Sequence, residues 1–452
     1  MKRIVFLFLA SILAATADRP NVILILSDDQ SWNDYGFMGH EIIETPRLDR
    51  LAEESVTFTR GYVTVPLCRP SLASLFTGLH PHRNGITGND LSEAAGGKKV
   101  PRNTESGAKL HQQLYDGFSK CPSLAGLLKD AGYLTLQTGK WWESDPKQHG
   151  FTHAMTHGDP NRGGRHGDVG LEVSRNGIAP IRSFLDEADK AKKPFFIWHA
   201  PFLPHTPHNP PKALFEKYKA KVDSPHVARY YAMVEWFDQT CGELFDELDK
   251  RGLTENTLVI YVTDNGWIQN PKSGGYAPLS KQDVHEGGVR TPIMLRWPGT
   301  LKPRMDKVTV VSSIDIPVTI LEATGLEAPE AMTGLDLRDQ KALEKRKAIF
   351  GSDYSHNIKD VSDRTGNLES VFVVAGRWKL ILHNPANFPP PAYAGAGNGK
   401  PWNKKGDPEL YQLLEDPWEK QNLADEHPEV LKELGGMLRE WSRDFAELGR
   451  TD

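Results

Sequence analysis

The 452-residue chain carries two tight pairs of oxygen-bearing side chains, Asp28-Asp29 and Asp264-Asn265, each placed directly after an apolar run. Three carboxylates and one carboxamide gathered at adjacent strand ends would repel one another unless a hard cation lay between them. Ca²⁺ accepts about six to eight oxygens in flexible geometry, whereas Mg²⁺ prefers a stricter octahedron that keeps more of its water. The set therefore reads as a site for one Ca²⁺ ion, completed by oxygens of a substrate and a nucleophile. Taken singly, each Asp would serve equally well as the cap of a helix or turn.

Strands are needed to bring these acids together. Asn21-Val22-Ile23-Leu24-Ile25-Leu26-Ser27 is continuously apolar up to the first acid pair and reads as a strand buried on both faces. Runs of the same type cover Pro194 to His199 and Thr257 to Asp264, and helical spacing covers Pro46 to Glu54, Ser123 to Ala131 and Ala228 to Leu248. Alternating strands and helices predict an α/β fold with a mostly parallel sheet flanked by helices, whose ligands gather at the carboxyl ends of the strands. The predicted catalytic domain spans 18–330. From 331 to 452 a smaller C-terminal α+β subdomain is expected, with strands over Val371 to His383 around a Gly376-Arg377 turn and a helix from Pro428 to Leu448. Pro385 to Pro401 reads as a long surface loop.

Composition narrows the partners. A net charge of −5 without a basic tail argues against nucleic acid, while a sulfated or phosphorylated substrate needs only local positive charge. Residues 1–17 have the form of a signal peptide: Lys2-Arg3, the apolar run Ile4 to Ala15, and small residues ending at Ala17. The run is too short to span a bilayer and no second one follows, so export without a membrane anchor is expected, to the periplasm or beyond. Exported proteins pair or eliminate their thiols, yet the chain has three cysteines, Cys68, Cys121 and Cys241. One of them must do something else, and Cys121 with Cys241 is either a disulfide or two buried thiols.

Cys68 stands in the segment Pro66-Leu67-Cys68-Arg69-Pro70-Ser71-Leu72-Ala73-Ser74-Leu75-Phe76-Thr77-Gly78. Cys68, Pro70, Ser71, Thr77 and Gly78 match the signature of the formylglycine-dependent sulfatases, arylsulfatase-type members of the alkaline-phosphatase-like superfamily. Further blocks resemble that family in the same order: Asp28-Asp29, Gly139-Lys140-Trp141, Pro204-His205-Thr206-Pro207, Asp264-Asn265-Gly266, Lys281, Glu286 to Pro292 and Glu409-Leu410-Tyr411. The resemblance implies a sulfuric ester hydrolase acting on a sulfated small molecule or polysaccharide. It also implies that a formylglycine-generating enzyme oxidises Cys68 to an aldehyde, whose hydrate attacks sulfur. Cys68 joins Asp28, Asp29, Asp264 and Asn265 around the metal, Lys140 and Lys281 are similar to the sulfate-binding lysines, and His205 is similar to the leaving-group histidine.

Two positions depart from the pattern. Leu72 replaces an Arg that contacts formylglycine and helps the modifying enzyme recognise its target, and Trp142 replaces a His that assists the diol. Arg69 is near Leu72 in sequence, but a helix would aim it elsewhere. The segment His149 to Asp168 supplies candidates for the missing function, His157 and His166, with Arg165 as a further substrate-binding candidate; a polar surface loop is the plain alternative. Trp141 and Trp142 offer either a sugar platform or core packing. Two rivals remain: a phosphodiester or phosphonate monoester hydrolase on the same scaffold, and an unconverted binding homologue without activity.

Overall fold

The computed structural model describes residues 19–92, 99–101, 104–157, 168–383, 407–443 and 445. The signal-like segment 1–17, the loop 385–401, Arg165 and His166 fall outside them. Among the described residues no helix is long and apolar enough to cross a membrane.

The large sheet is built on the apolar runs. In order across it lie Val311–Ser312, Val56–Tyr62, Arg290–Arg296, Thr257–Thr263, Asn21–Ser27, Phe195–Ala200, Leu134–Gly139 and His153–Ala154, with Arg304–Asp306 also against Val56–Tyr62. Arg290–Arg296 runs antiparallel to both neighbours. The other described pairings are parallel, as the mostly parallel α/β reading requires.

Asn21–Ser27 holds the centre because both of its faces are covered. Val22, Leu24 and Leu26 pack into one apolar layer with Leu75 and Phe76 of the helix Cys68–Thr77 and with Ile316 and Ile320 of the helix Asp315–Ala323. Ile23 and Ile25 pack on the other side against Leu48 and Leu51 of Pro46–Glu53 and against Met233 and Phe237 of Pro225–Lys250. Alternate side chains thus enter opposite helical layers, each contributing about 1.5–3 kcal/mol by leaving water.

The C-terminal strands Ile349–Tyr354, Leu368–Ala375, Trp378–His383 and Glu409–Gln412 form an antiparallel sheet in that order. Leu434 and Leu438 of the helix Pro428–Trp441 cover one face of it. That helix starts at the expected proline and runs over Pro428–Trp441, and its expected end at Leu448 lies outside the described residues. Tyr62, Val63, Val284 and Val289 join Phe372, Val374 and Ile381 in one apolar cluster, so the two sheets pack on each other. All three cysteines are free thiols, which removes the Cys121–Cys241 disulfide from the alternatives.

Candidate active site

Four neighbouring parallel strands end on one edge, and most of the chemistry hangs from that edge. Asp28 and Asp29 follow Asn21–Ser27, Asp264 and Asn265 follow Thr257–Thr263, and Lys140 follows Leu134–Gly139. The chain leaving Phe195–Ala200 carries His205 and is tied to the acids, since the Asp28 N–H donates to Leu203 O at 2.9 Å. Gly139 permits the close turn before Lys140. Its φ is +75°, and a Cβ there would lie 1.7 Å from Ala200 O, which accepts the Lys140 N–H at 2.7 Å.

Cys68 opens the wholly buried helix Cys68–Thr77, and its N-cap residue Leu67 has no side-chain group to cap it. The positive end of the helix dipole therefore lies beside Asp29, whose Oδ1 is 3.9 Å from Cys68 Sγ. Backbone strain collects around the site: Asp29, Phe202, Leu279 and Gln282 all have φ between 56° and 63°. These residues turn the loops that carry Asp28 and Asp29, His205, and Lys281.

Two ammonium groups converge on the acids. Lys140 Nζ sits 2.8 Å from both oxygens of Asp28 and 3.3 Å from Asp264 Oδ2. Lys281 Nζ lies 2.6 and 2.7 Å from the Asp29 oxygens and 3.0 Å from Cys68 Sγ. Asn265 Nδ2 donates to Asp29 Oδ1 at 2.7 Å, and Asp264 Oδ1 accepts from the backbone N–H groups of Asp29 and Asn265. His205 donates from Nδ1 to Thr206 O and turns Nε2 toward Asp29 Oδ2 at 3.5 Å.

Burial works against Asp29, but Lys281 and the cations beside it hold its carboxyl well below the usual range. Burial, and next the Asp28 carboxylate, push Asp264 up, because two ammonium groups facing three carboxylates leave one acid uncompensated. Burial also pushes the Cys68 thiol up to about 12, so the unmodified side chain is a neutral thiol at ordinary pH. Burial lowers His205, with Asp28 and Asp29 pulling it partly back.

The residues present fit a hard divalent cation. Asn265 Oδ1 is buried without a hydrogen-bond partner, and the uncompensated acid beside it is the charge that a dication would neutralise. Asp28, Asp29, Cys68 and His205 each bring a potential ligand atom into a group whose members lie within 4.8 Å of one another. Sulfur is a soft donor among hard oxygens, and an oxygen in place of Cys68 Sγ would suit Ca²⁺ better.

An open cleft of about 380 Å³ leads down to Asp29, Cys68, His205 and Lys281. Its walls include Trp142, Trp267, Tyr276, Asn89 and His356. Trp141 packs in the core against Phe76, Phe151 and Trp198, whereas Trp142 faces the cleft with its ring 5.6 Å from Lys140 Nζ. His157 does not line this cleft. Leu72 belongs to the apolar layer and shares a small void with Lys140 and Trp142, so the two departures from the family pattern are neighbours. Arg69 makes a buried two-pronged ion pair with Glu143, at 2.5 and 2.7 Å. Asn89, Tyr276 and His356 went unread in the sequence, since each comes from a separate loop with no motif around it.

Residues 20–326 match the family described as Sulfatase, and residues 274–386 match the one described as N-sulphoglucosamine sulphohydrolase, C-terminal. The chain is 25% identical to an N-acetylgalactosamine-6-O-sulfatase of Bacteroides thetaiotaomicron over 93% of each chain. It is 28% identical to an ulvan-active sulfatase of Formosa agariphila, covering 91% of this chain and 77% of that protein. Among solved structures it resembles Ps i-CgsB, with a TM-score of 0.71 at 23% identity over 94% of this chain and 93% of that one. Ps i-CgsB has also been solved in complex with k-i-k-neocarrahexaose.

Proposed function

Because the chain belongs to the sulfatase family, a family of sulfuric ester hydrolases, we propose that it removes sulfate from a sulfated carbohydrate, using Cys68 after oxidation to formylglycine. The observation that carries this reading is the convergence of Lys140 and Lys281 on a buried acid cluster that includes the Cys68 thiol. A thiol held at about 12 is a poor nucleophile, which favours an oxidised side chain over a thiolate. Sulfated sugars as substrates are supported by the names of the two enzymes compared above.

In this reading Asp28, Asp29, Asp264 and Asn265 hold Ca²⁺. When bound, the cation offsets sulfate charge and makes a hydroxyl on the position-68 aldehyde hydrate more acidic. Lys140 and Lys281 bind the sulfate oxygens as compact charges and hold the ester in line. His205, whose Nδ1–H is held by Thr206 O, acts as the general acid in its imidazolium form, which the Asp28 and Asp29 carboxylates favour: it gives the Nε2 proton to the departing alcohol oxygen as its bond to sulfur breaks and keeps the Nδ1 proton. One water is consumed and alcohol and sulfate are released. The catalytic domain is assigned to 18–330 and the smaller subdomain to 331–452, with residues 1–17 removed on export.

Intact-mass analysis of the Cys68 peptide tests the modification: conversion removes sulfur and two hydrogens and adds one oxygen. Turnover is tested with nitrophenyl sulfate, N-acetylgalactosamine 6-sulfate and ulvan oligosaccharides, beside a nitrophenyl phosphodiester. An unaltered thiol without turnover of any sulfate ester would reject the proposal in favour of a binding homologue. Faster cleavage of the phosphodiester would favour phosphoryl chemistry.

A further inference from the structure

The helix that begins at Cys68 is linked to the segment after Ile349–Tyr354 by a line of hydrogen bonds whose direction can be worked out. The backbone N–H of Arg69 donates to Asn89 Oδ1 at 3.0 Å. An N–H can only donate, so this fixes the Asn89 amide with its oxygen toward the helix and Nδ2 on the other side. Nδ2 lies 3.4 Å from His356 Nε2. An amide nitrogen cannot accept, so His356 Nε2 must, and its ring proton resides on Nδ1, which donates to Asn357 Oδ1 at 2.7 Å. One backbone amide beside Cys68 thereby sets the amide orientation of Asn89 and the tautomer of His356.

The pair is also held firmly. Asn89 N–H donates to His356 O at 2.8 Å, and Ser92 N–H to Ile358 O at 2.9 Å. Asp90–Leu91 pairs in parallel with Asn357–Ile358. Asn367 Nδ2 donates to Thr87 O at 2.9 Å.

We propose that Asn89 and His356 form a recognition pair for one neutral hydroxyl of the alcohol part of the substrate, an inference that rests on the sulfate-ester reading above. Both residues line the same cleft as Cys68, Lys281 and His205. A 3.4 Å contact is near the outer limit for a hydrogen bond and is readily exchanged for two shorter ones. A hydroxyl oxygen between the two groups would accept from Asn89 Nδ2 and donate to His356 Nε2. A second sulfate would meet the imidazole lone pair, and an ammonium would meet the amide hydrogens, so the pair selects against either charge. Trp142, Trp267 and Tyr276 in the same walls suit the apolar face of a sugar ring.

The test compares His356→Ala with wild type on nitrophenyl sulfate, which offers no sugar hydroxyl, and on the sulfated monosaccharide that wild type cleaves fastest. The expected result is a fall in kcat/KM about 10–100-fold larger on the sugar, carried by KM, as for a lost hydrogen bond that leaves its partner unpaired. His356→Gln, which keeps an acceptor, should recover part of it. Equal losses on both esters, no loss on the sugar, or a wild-type enzyme that cleaves nitrophenyl sulfate but no sulfated sugar would overturn the inference. Should wild type cleave neither ester, the functional reading fails instead. Calorimetric binding of N-acetylgalactosamine 6-sulfate then decides: about tenfold weaker binding by His356→Ala supports the pair, and equal or absent binding rejects it.

Discussion

Replacing Glu143 by Ala isolates the buried ion pair next to the nucleophile position. Arg69 and Glu143 expose 1% and 4% of their side chains, and burial opposes the Arg69 charge while Glu143 holds it above its ordinary value. Removing the carboxylate leaves a buried guanidinium with the Asn89 carbonyl oxygen at 3.4 Å. Breaking such a pair from one side costs about 3–5 kcal/mol. Unfolding entropy of about 2.1 cal/mol/K per residue, taken over 452 residues, amounts to roughly 0.9 kcal/mol/K. If the chain melts as one unit, Glu143→Ala should lower Tm by about 3–6 °C. Differential scanning calorimetry reads this directly, with Arg69→Met/Glu143→Leu as the partner experiment. The double variant removes both charges and should melt closer to wild type than Glu143→Ala does. A fall below about 1 °C for Glu143→Ala, or a double variant that melts lower still, would refute the reasoning.

Ca²⁺ should raise Tm and a chelator should lower it. Stabilisation reaches about 2.7 kcal/mol at a hundred times Kd, and Asp264→Asn should blunt the response in a calcium titration followed by melting. His285 is opposed by burial but held by Asp283 and Glu409 up to about 10, above its ordinary 6.5. Its contribution is complete below about pH 6.5 and is lost as pH rises toward about 10, so wild-type Tm should fall more steeply than that of His285→Asn across that window. Gly139→Ala should displace Lys140 by forcing a Cβ against Ala200 O, and kcat/KM should fall about 100-fold, as for loss of a charge that stabilises the transition state.

The central strands were readable because strands covered on both faces become unbroken apolar runs, as in Asn21–Ser27 and Thr257–Thr263. Val56–Tyr62 and Arg290–Arg296 are equally buried but escaped notice. Threonine, glycine, proline and terminal arginines interrupt their apolar pattern, and their polar groups are satisfied by contacts distant in sequence. Arg290 Nε, for example, donates to Thr59 O. At the site, the acids and lysines were legible because each follows or lies near a recognisable strand or motif. Asn89 and His356 were not, since the loop pairing that joins them spans 267 positions. The Arg69–Glu143 pair was hidden for the same reason, and it explains why Arg69 cannot stand in for the arginine missing at Leu72.

Cys68 is 1% exposed, at the start of a wholly buried helix and at the floor of a cleft of only about 380 Å³. Under the formylglycine reading, an enzyme of protein size has no route to that sulfur once the molecule is assembled, so oxidation must precede assembly. Maturation is then a race. Asn21–Ser27 must await Thr257–Thr263, more than two hundred residues downstream, and such distant partnerships form slowly. The wiring of the sheet thus holds open the interval in which the thiol can be reached.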